Sequence, residues 1–248
     1  MSGPAWAGGV ALAGAAVLAA VALAGCSSSF DQAKQLEKEG LKASAPQKGL
    51  SIGKENGDVQ VVDSATLTDE NGSAVVLTLK STAKEDQLDV PIAIDVLGAK
   101  KASVFKNHTP GLEPSLTEMS VVRGGKETDW VNDQVVATDT PKTVETEIGL
   151  PRTEASGPLP ELTVTGVKLE DDPTSGVLAS GTVKNDSKVL QTKLVAYGVA
   201  RDGKDVVAAG RAVVPKLKPG KSSIFRIYFI GDPRKGELTV NVPPSTFR

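Results

Sequence analysis

One cysteine, one histidine and two methionines in 248 residues leave little material for thiol or soft-metal chemistry. Disulfide frameworks, Cys/His zinc sites and Met/His copper sites all need more of these residues. Aromatic residues are only 4%, and 28 Lys+Arg stand against 30 Asp+Glu. The chain therefore has neither the basic excess nor the stacking residues of a nucleic-acid binder. A Gly-x-Ser-x-Gly elbow is missing, and Gly124-Gly125 lacks the Gly-Lys-Ser/Thr that would complete a phosphate-cradling loop. Serine-hydrolase chemistry would have to rest on His108 alone, which sits in a turn before Thr109-Pro110-Gly111. A non-enzymatic protein with no cofactor is the expectation. What the chain does hold, 40% hydrophobic and 23% charged residues, is the composition of water-soluble globular domains, and its length suits two of them.

No acidic or basic side chain precedes Asp31, and Ala5 to Ala24 is an uncharged run rich in Ala, Val and Leu. It reads as a targeting segment and not as part of a fold. The run ends in Leu23-Ala24-Gly25-Cys26, followed by Ser27-Ser28-Ser29. This resembles the lipobox of bacterial lipoproteins. The resemblance implies a signal peptide over 1–25, cleavage before Cys26, and acyl chains such as palmitate on that residue. Each buried CH2 of an acyl chain contributes about 0.8 kcal/mol, so two or more chains hold a protein stably on a membrane. The expected location is the outer face of the cell membrane, or another membrane of the envelope. The other reading of the run is an uncleaved transmembrane helix, since about 20 apolar residues span a bilayer. Both readings export the rest of the chain.

Residues 26–57 are rich in Ser, Lys, Gln and Gly and read as a flexible tether. From Val59 the apolar period changes to two. Val59, Val61 and Leu67 lead to the turn Asp69-Glu70-Asn71-Gly72, and Val75, Leu77 and Leu79 follow in alternation. Val90, Ile92, Ile94 and Val96 share one face of the next run, in which Pro91 predicts an edge position or a bulge. Shorter strands are expected at 119–122, 129–136 and 143–148. After the Pro/Gly-rich stretch 151–160, read as a linker, strands are expected at 161–169, 177–184, 190–200, 205–213, 222–230 and 237–242. Six or seven short strands per half, separated by turns, predict an all-β fold of two tandem immunoglobulin-like β-sandwich domains, 58–150 and 161–248. Phe225, Ile227 and Phe229 are expected to face the second core.

Gly181-Thr182-Val183-Lys184-Asn185-Asp186-Ser187, Leu194-Val195-Ala196-Tyr197, Leu217-Lys218-Pro219-Gly220 and Ser223-Ile224-Phe225 together resemble the FxLYD domain of bacterial envelope lipoproteins. That resemblance implies an immunoglobulin-like sandwich in which the Asn-Asp-Ser turn connects strands and the Pro-Gly turn precedes the strand carrying Phe225.

Charge is divided unevenly. Lys54 to Gly157 holds 10 basic and 18 acidic residues, whereas Pro158 to Arg248 holds 14 basic and 9 acidic. Opposite signs could draw the halves together, or direct the second half to an anionic polymer. Calcium is conceivable at Asp69-Glu70-Asn71 or Asp171-Asp172, although neither has the spacing of a dedicated loop. The longest departure from alternation, 107–133, carries Trp130 with Asn132 and Asp133. Trp130 reads as an inter-sheet core anchor. If it were exposed, it would join Asn107, His108, Asn132 and Asp133 in a recognition patch. The expected function is a lipid-anchored envelope module that binds or scaffolds an envelope protein or cell-wall polymer, without nucleic acid. The alternative is a solute- or calcium-binding accessory of an envelope transport system.

Overall fold

In the computed structural model of the protein, the described residues are 49–153, 155, 157–173 and 176–248. Fourteen strands run through them with two 3-10 turns and no α-helix. The first half holds β1 (Val59–Asp69), β2 (Gly72–Ser81), β3 (Gln87–Leu97), β4 (Ser103–Lys106), β5 (Glu118–Val122), β6 (Glu127–Asn132) and β7 (Thr143–Ile148). The second half holds β8 (Leu162–Asp172), β9 (Gly176–Asn185), β10 (Gln191–Asp202), β11 (Asp205–Leu217), β12 (Ser222–Tyr228), β13 (Ile230–Gly231) and β14 (Glu237–Asn241). Every pairing is antiparallel, in the sheets β1-β2-β6, β4-β3-β5 with β7 on β3, β13-β11-β10-β14 and β12-β9-β8. The fold is an all-β, sandwich-like one.

Gly72 closes the β1–β2 hairpin with φ of 140°, and Asp69 Oδ1 accepts the Asn71 N–H at 2.7 Å. The turn chemistry read from Asp69-Glu70-Asn71-Gly72 is thus used as such. Pro91 stands inside β3 and not on an edge. One side of it pairs with β5 at Glu118, and on the other side β7 has just ended at the Ile92–Ile148 pair. Its carbonyl still accepts the Gly149 N–H at 2.8 Å. The donor that proline lacks is replaced from elsewhere, because Asn56 Nδ2 donates to the Gly149 carbonyl at 3.2 Å.

β2 differs from the expected alternation, being buried on both faces from Ser73 to Leu79. Leu77 pairs across the sheet with Trp130, on the face turned to β3, while Thr78 pairs with Asp129, on the face turned to the second half. A strand covered on both sides loses its polar face. β10 shares this property. Its Val195, Tyr197 and Val199 join the first hydrophobic core, with Val75, Leu77, Ile92, Val96, Met119 and Trp130. Its Leu194, Ala196 and Ala200 join the second, with Val183, Phe225, Ile227 and Phe229.

The second core packs large against small. A Cβ on Gly181 would come within 2.4 Å of Phe225 Cζ, so the glycine makes room for the ring. The 186–190 turn joins β9 to β10, and Pro219-Gly220 precedes β12. Asn185 ties these loops together: its Nδ2 donates to the carbonyls of Val189 and Leu217, and its Oδ1 accepts from Ser187. The described residues belong to one compact unit. Within the 151–160 stretch, Arg152 and Thr153 bond back to Asp89 and Leu88 of β3.

Candidate functional site

The residues 107–133 do not form an exposed patch. Trp130 is fully buried, and its Nε1–H donates to the Ser115 carbonyl at 2.9 Å. An indole in an apolar core needs one such acceptor. Asn107 is also fully buried and holds three backbones together. It accepts from Ile94 N–H and donates to the carbonyls of Ile92 and Leu116, each at 2.8 Å. Asn132 is buried and accepts the Gln134 N–H at 3.0 Å. Asp133 is drawn into the junction between the halves. Of the five, only His108 is exposed, and it borders a cleft of about 560 Å³ with Asp95, Lys106, Glu145 and Glu147. There Lys106 is ion-paired to Asp95 at 2.6 Å, which raises the lysine above its ordinary value. Cys26 and the lipobox residues Leu23, Ala24 and Gly25 lie outside the described residues.

The groups that stand out are at the junction. Arg211, in the run Ala208-Ala209-Gly210-Arg211-Ala212-Val213-Val214 of β11, has a side chain only 3% exposed. Its Nε donates to Asp133 Oδ1 at 2.7 Å and its backbone N–H to Asp133 Oδ2 at 3.1 Å. Its Nη1 donates to Glu113 Oε2 at 2.8 Å and also reaches the Ser115 hydroxyl. Burial alone would lower the arginine, but Asp133 and Glu113 outweigh it and keep it raised. Burial would likewise raise Glu113, yet hydrogen bonds from Ser115 and Arg211 hold its carboxyl below the ordinary range.

Arg201, near the end of β10, makes a forked contact. Its two terminal nitrogens donate to the two oxygens of Asp129, each at 2.8 Å, and one also donates to the Thr78 hydroxyl at 3.0 Å. A third tie joins Gly231 N–H to Asp69 Oδ2 at 2.7 Å. In each charged tie the anion comes from the acidic half and the donor from the basic half. The opposite net charges read in the sequence therefore meet here.

Clefts border the junction. One of about 690 Å³ is bordered by Asp63, Glu127, Asp129, Arg201, Lys204 and Thr239. Another, of about 190 Å³, lies beside Tyr197, Glu113 and Glu118. Burial, with Asp89 and Glu113 close by, holds Glu118 above its ordinary value despite its ion pair with Arg152 at 2.9 Å. Among the described residues no group of three or more His, Cys, Asp and Glu is arranged to hold a metal ion. Asp69 of the first calcium candidate has its carboxylate engaged by Asn71 and Gly231.

Sequence reasoning passed over Arg211 and Arg201, and named Tyr197 only within the motif that resembles FxLYD. The signal for the first was a single arginine inside an otherwise apolar strand, a placement that requires a buried partner. Compared with protein-family models and with curated proteins, the chain matches none.

Proposed function

We propose that this chain is a lipid-anchored protein of the bacterial cell envelope that acts as a non-enzymatic binding or scaffolding module. Acyl chains on Cys26 hold it on the membrane, and the residues that follow tether a body of two immunoglobulin-like halves, the second of the FxLYD kind. The expected tether end at 57 is corrected by Glu55 and Asn56, which already pair with the first half. The observation that carries the reading is the junction. Arg211 and Arg201 lock the halves into one unit, so the outward loops of both keep a fixed spacing. A rigid body on a tether suits presentation to an envelope protein or cell-wall polymer, because anchoring raises local concentration without adding contacts. The Asn185 loop tie and the fit of Phe225 over Gly181 support the FxLYD-like assignment of the second half.

Palmitate labelling together with crosslinking in intact cells tests this, comparing wild type with Cys26→Ala. Label and captured partner should both be lost in the variant. An unlabelled wild-type product, or a partner captured equally well from both, would overturn it. The junction cleft of about 690 Å³ favours a second reading, a solute-binding accessory of a transport system. Its arginine is already engaged by Asp129, which makes this the weaker of the two.

A further inference from the structure

We propose that the cleft beside Tyr197 is a binding site for a small organic cation carrying a primary ammonium group. The site is independent of how the protein is anchored. The first half lines it with Asp89, Glu113 and Glu118, and the second with Thr192, Tyr197 and Ser245, around a volume of about 190 Å³.

Tyr197 points to a ligand. The residue is 2% exposed, and its hydroxyl, which is open to the cleft, makes no hydrogen bond among the described residues. A buried phenol ordinarily finds a partner. Here it borders the cleft, within electrostatic reach of Glu113 and Glu118. The acids supply a second observation. Asp89 accepts the Thr153 hydroxyl through Oδ2, and Glu118 accepts Arg152 through Oε2. Asp89 Oδ1 and Glu118 Oε1 are left without a donor among the described residues.

Glu118 is raised chiefly by burial, with Asp89 and Glu113 adding to it and Arg152 opposing. Arg211 already answers Glu113, so the negative charge left for a bound cation is that of Asp89 and Glu118. An ammonium group offers three donors to these oxygens and the tyrosine oxygen, while Pro114, Val195 and the Tyr197 ring give its carbon chain an apolar wall. The acids lack the grouping that would hold a bare metal ion. The volume limits the occupant to a few non-hydrogen atoms. Lys193 is the single cation of the lining and stands exposed at its rim, where it opposes entry.

The test is calorimetric titration of the full chain with 1,4-diaminobutane, with 1,4-butanediol as the uncharged control. Saturable binding of the diamine alone is expected. Glu118→Gln should weaken it about tenfold or more, as loss of a buried charge-assisted hydrogen bond does. Tyr197→Phe should weaken it several-fold, and Lys193→Ala should tighten it. The proposal is overturned if folded wild type shows no saturable binding, if the diol binds as well as the diamine, or if Glu118→Gln and Tyr197→Phe both bind like wild type. The comparison of diamine with diol on wild type decides the matter even if a variant fails to fold.

Discussion

Two arginines from neighbouring strands of the second half reach into the first, and their surroundings differ. Arg211 is 3% exposed in its side chain, meets two carboxylates and a hydroxyl, and stands opposite Tyr197 in the β10–β11 ladder. Arg201 is 22% exposed, beside Asp129 at 20%, and its fork stands at the border of an open cleft. The carboxylates are alike, Asp133 at 18% and Glu113 at 29% against 20% for Asp129, so the contrast lies in the guanidinium, which is shut off from water at Arg211 and partly open to it at Arg201. The difference shows that an ion pair joins two bodies through the cost of separating it, which rises steeply with burial, more than through its attraction.

Four measurements sharpen or break that contrast. Arg211→Ala removes the shared donor of Asp133 and Glu113, which water can still reach, and should lower stability by about 2–4 kcal/mol in urea unfolding, the sum of more than one charge-assisted hydrogen bond. A loss no greater than that of the exposed pair would end the distinction. Arg201→Ala removes a forked bond whose partner can rehydrate, and about 1–2 kcal/mol is expected by the same method.

Acid should act on the Arg211 end through Glu113. Its carboxyl titrates below the ordinary 4.5 in the folded protein, so its contribution is present above that value and fades as pH falls through the lowered one. Glu118 has the opposite sign. Raised in the fold, it opposes folding when ionised, and that opposition is relieved as pH falls through its raised value. Urea unfolding across pH should therefore show Glu113→Gln costing stability near neutrality and costing nothing in acid, while Glu118→Gln is less harmful near neutrality than in acid. The smallest effect is that of salt. About 0.5 M NaCl shortens the screening length to roughly 4 Å and should trim Arg201's contribution by a few tenths of a kcal/mol, leaving that of Arg211 unchanged.

Strand positions were largely legible because hairpins such as β1–β2 and β10–β11 carry both period-two alternation and explicit turn residues. β4 was not expected, since four residues, Ser103–Lys106, are too few to show a period. β6 starts two residues before the expected 129–136 and ends four residues short of it, because at Asn132 the carboxamide oxygen takes the Gln134 N–H and turns the chain. The double burial of β2 was written in Ala74 and Val76, apolar at positions where a one-faced strand would be polar.

The stretch 107–133 reads in sequence as the longest departure from strand alternation and a place for recognition, but its polar residues serve internal joining. Asn107 and Asn132 satisfy backbone within the first half, and Asp133 satisfies an arginine 78 residues further along. A partner that distant leaves no periodic trace, so the junction could be read only from its residue types: one arginine in an apolar strand and halves of opposite charge.

Scanning calorimetry of the full chain tests most directly whether residues 49–248 behave as one body. The locked junction predicts a single unfolding transition whose calorimetric and van't Hoff enthalpies agree. Two resolved transitions, each the size of one half, would contradict it.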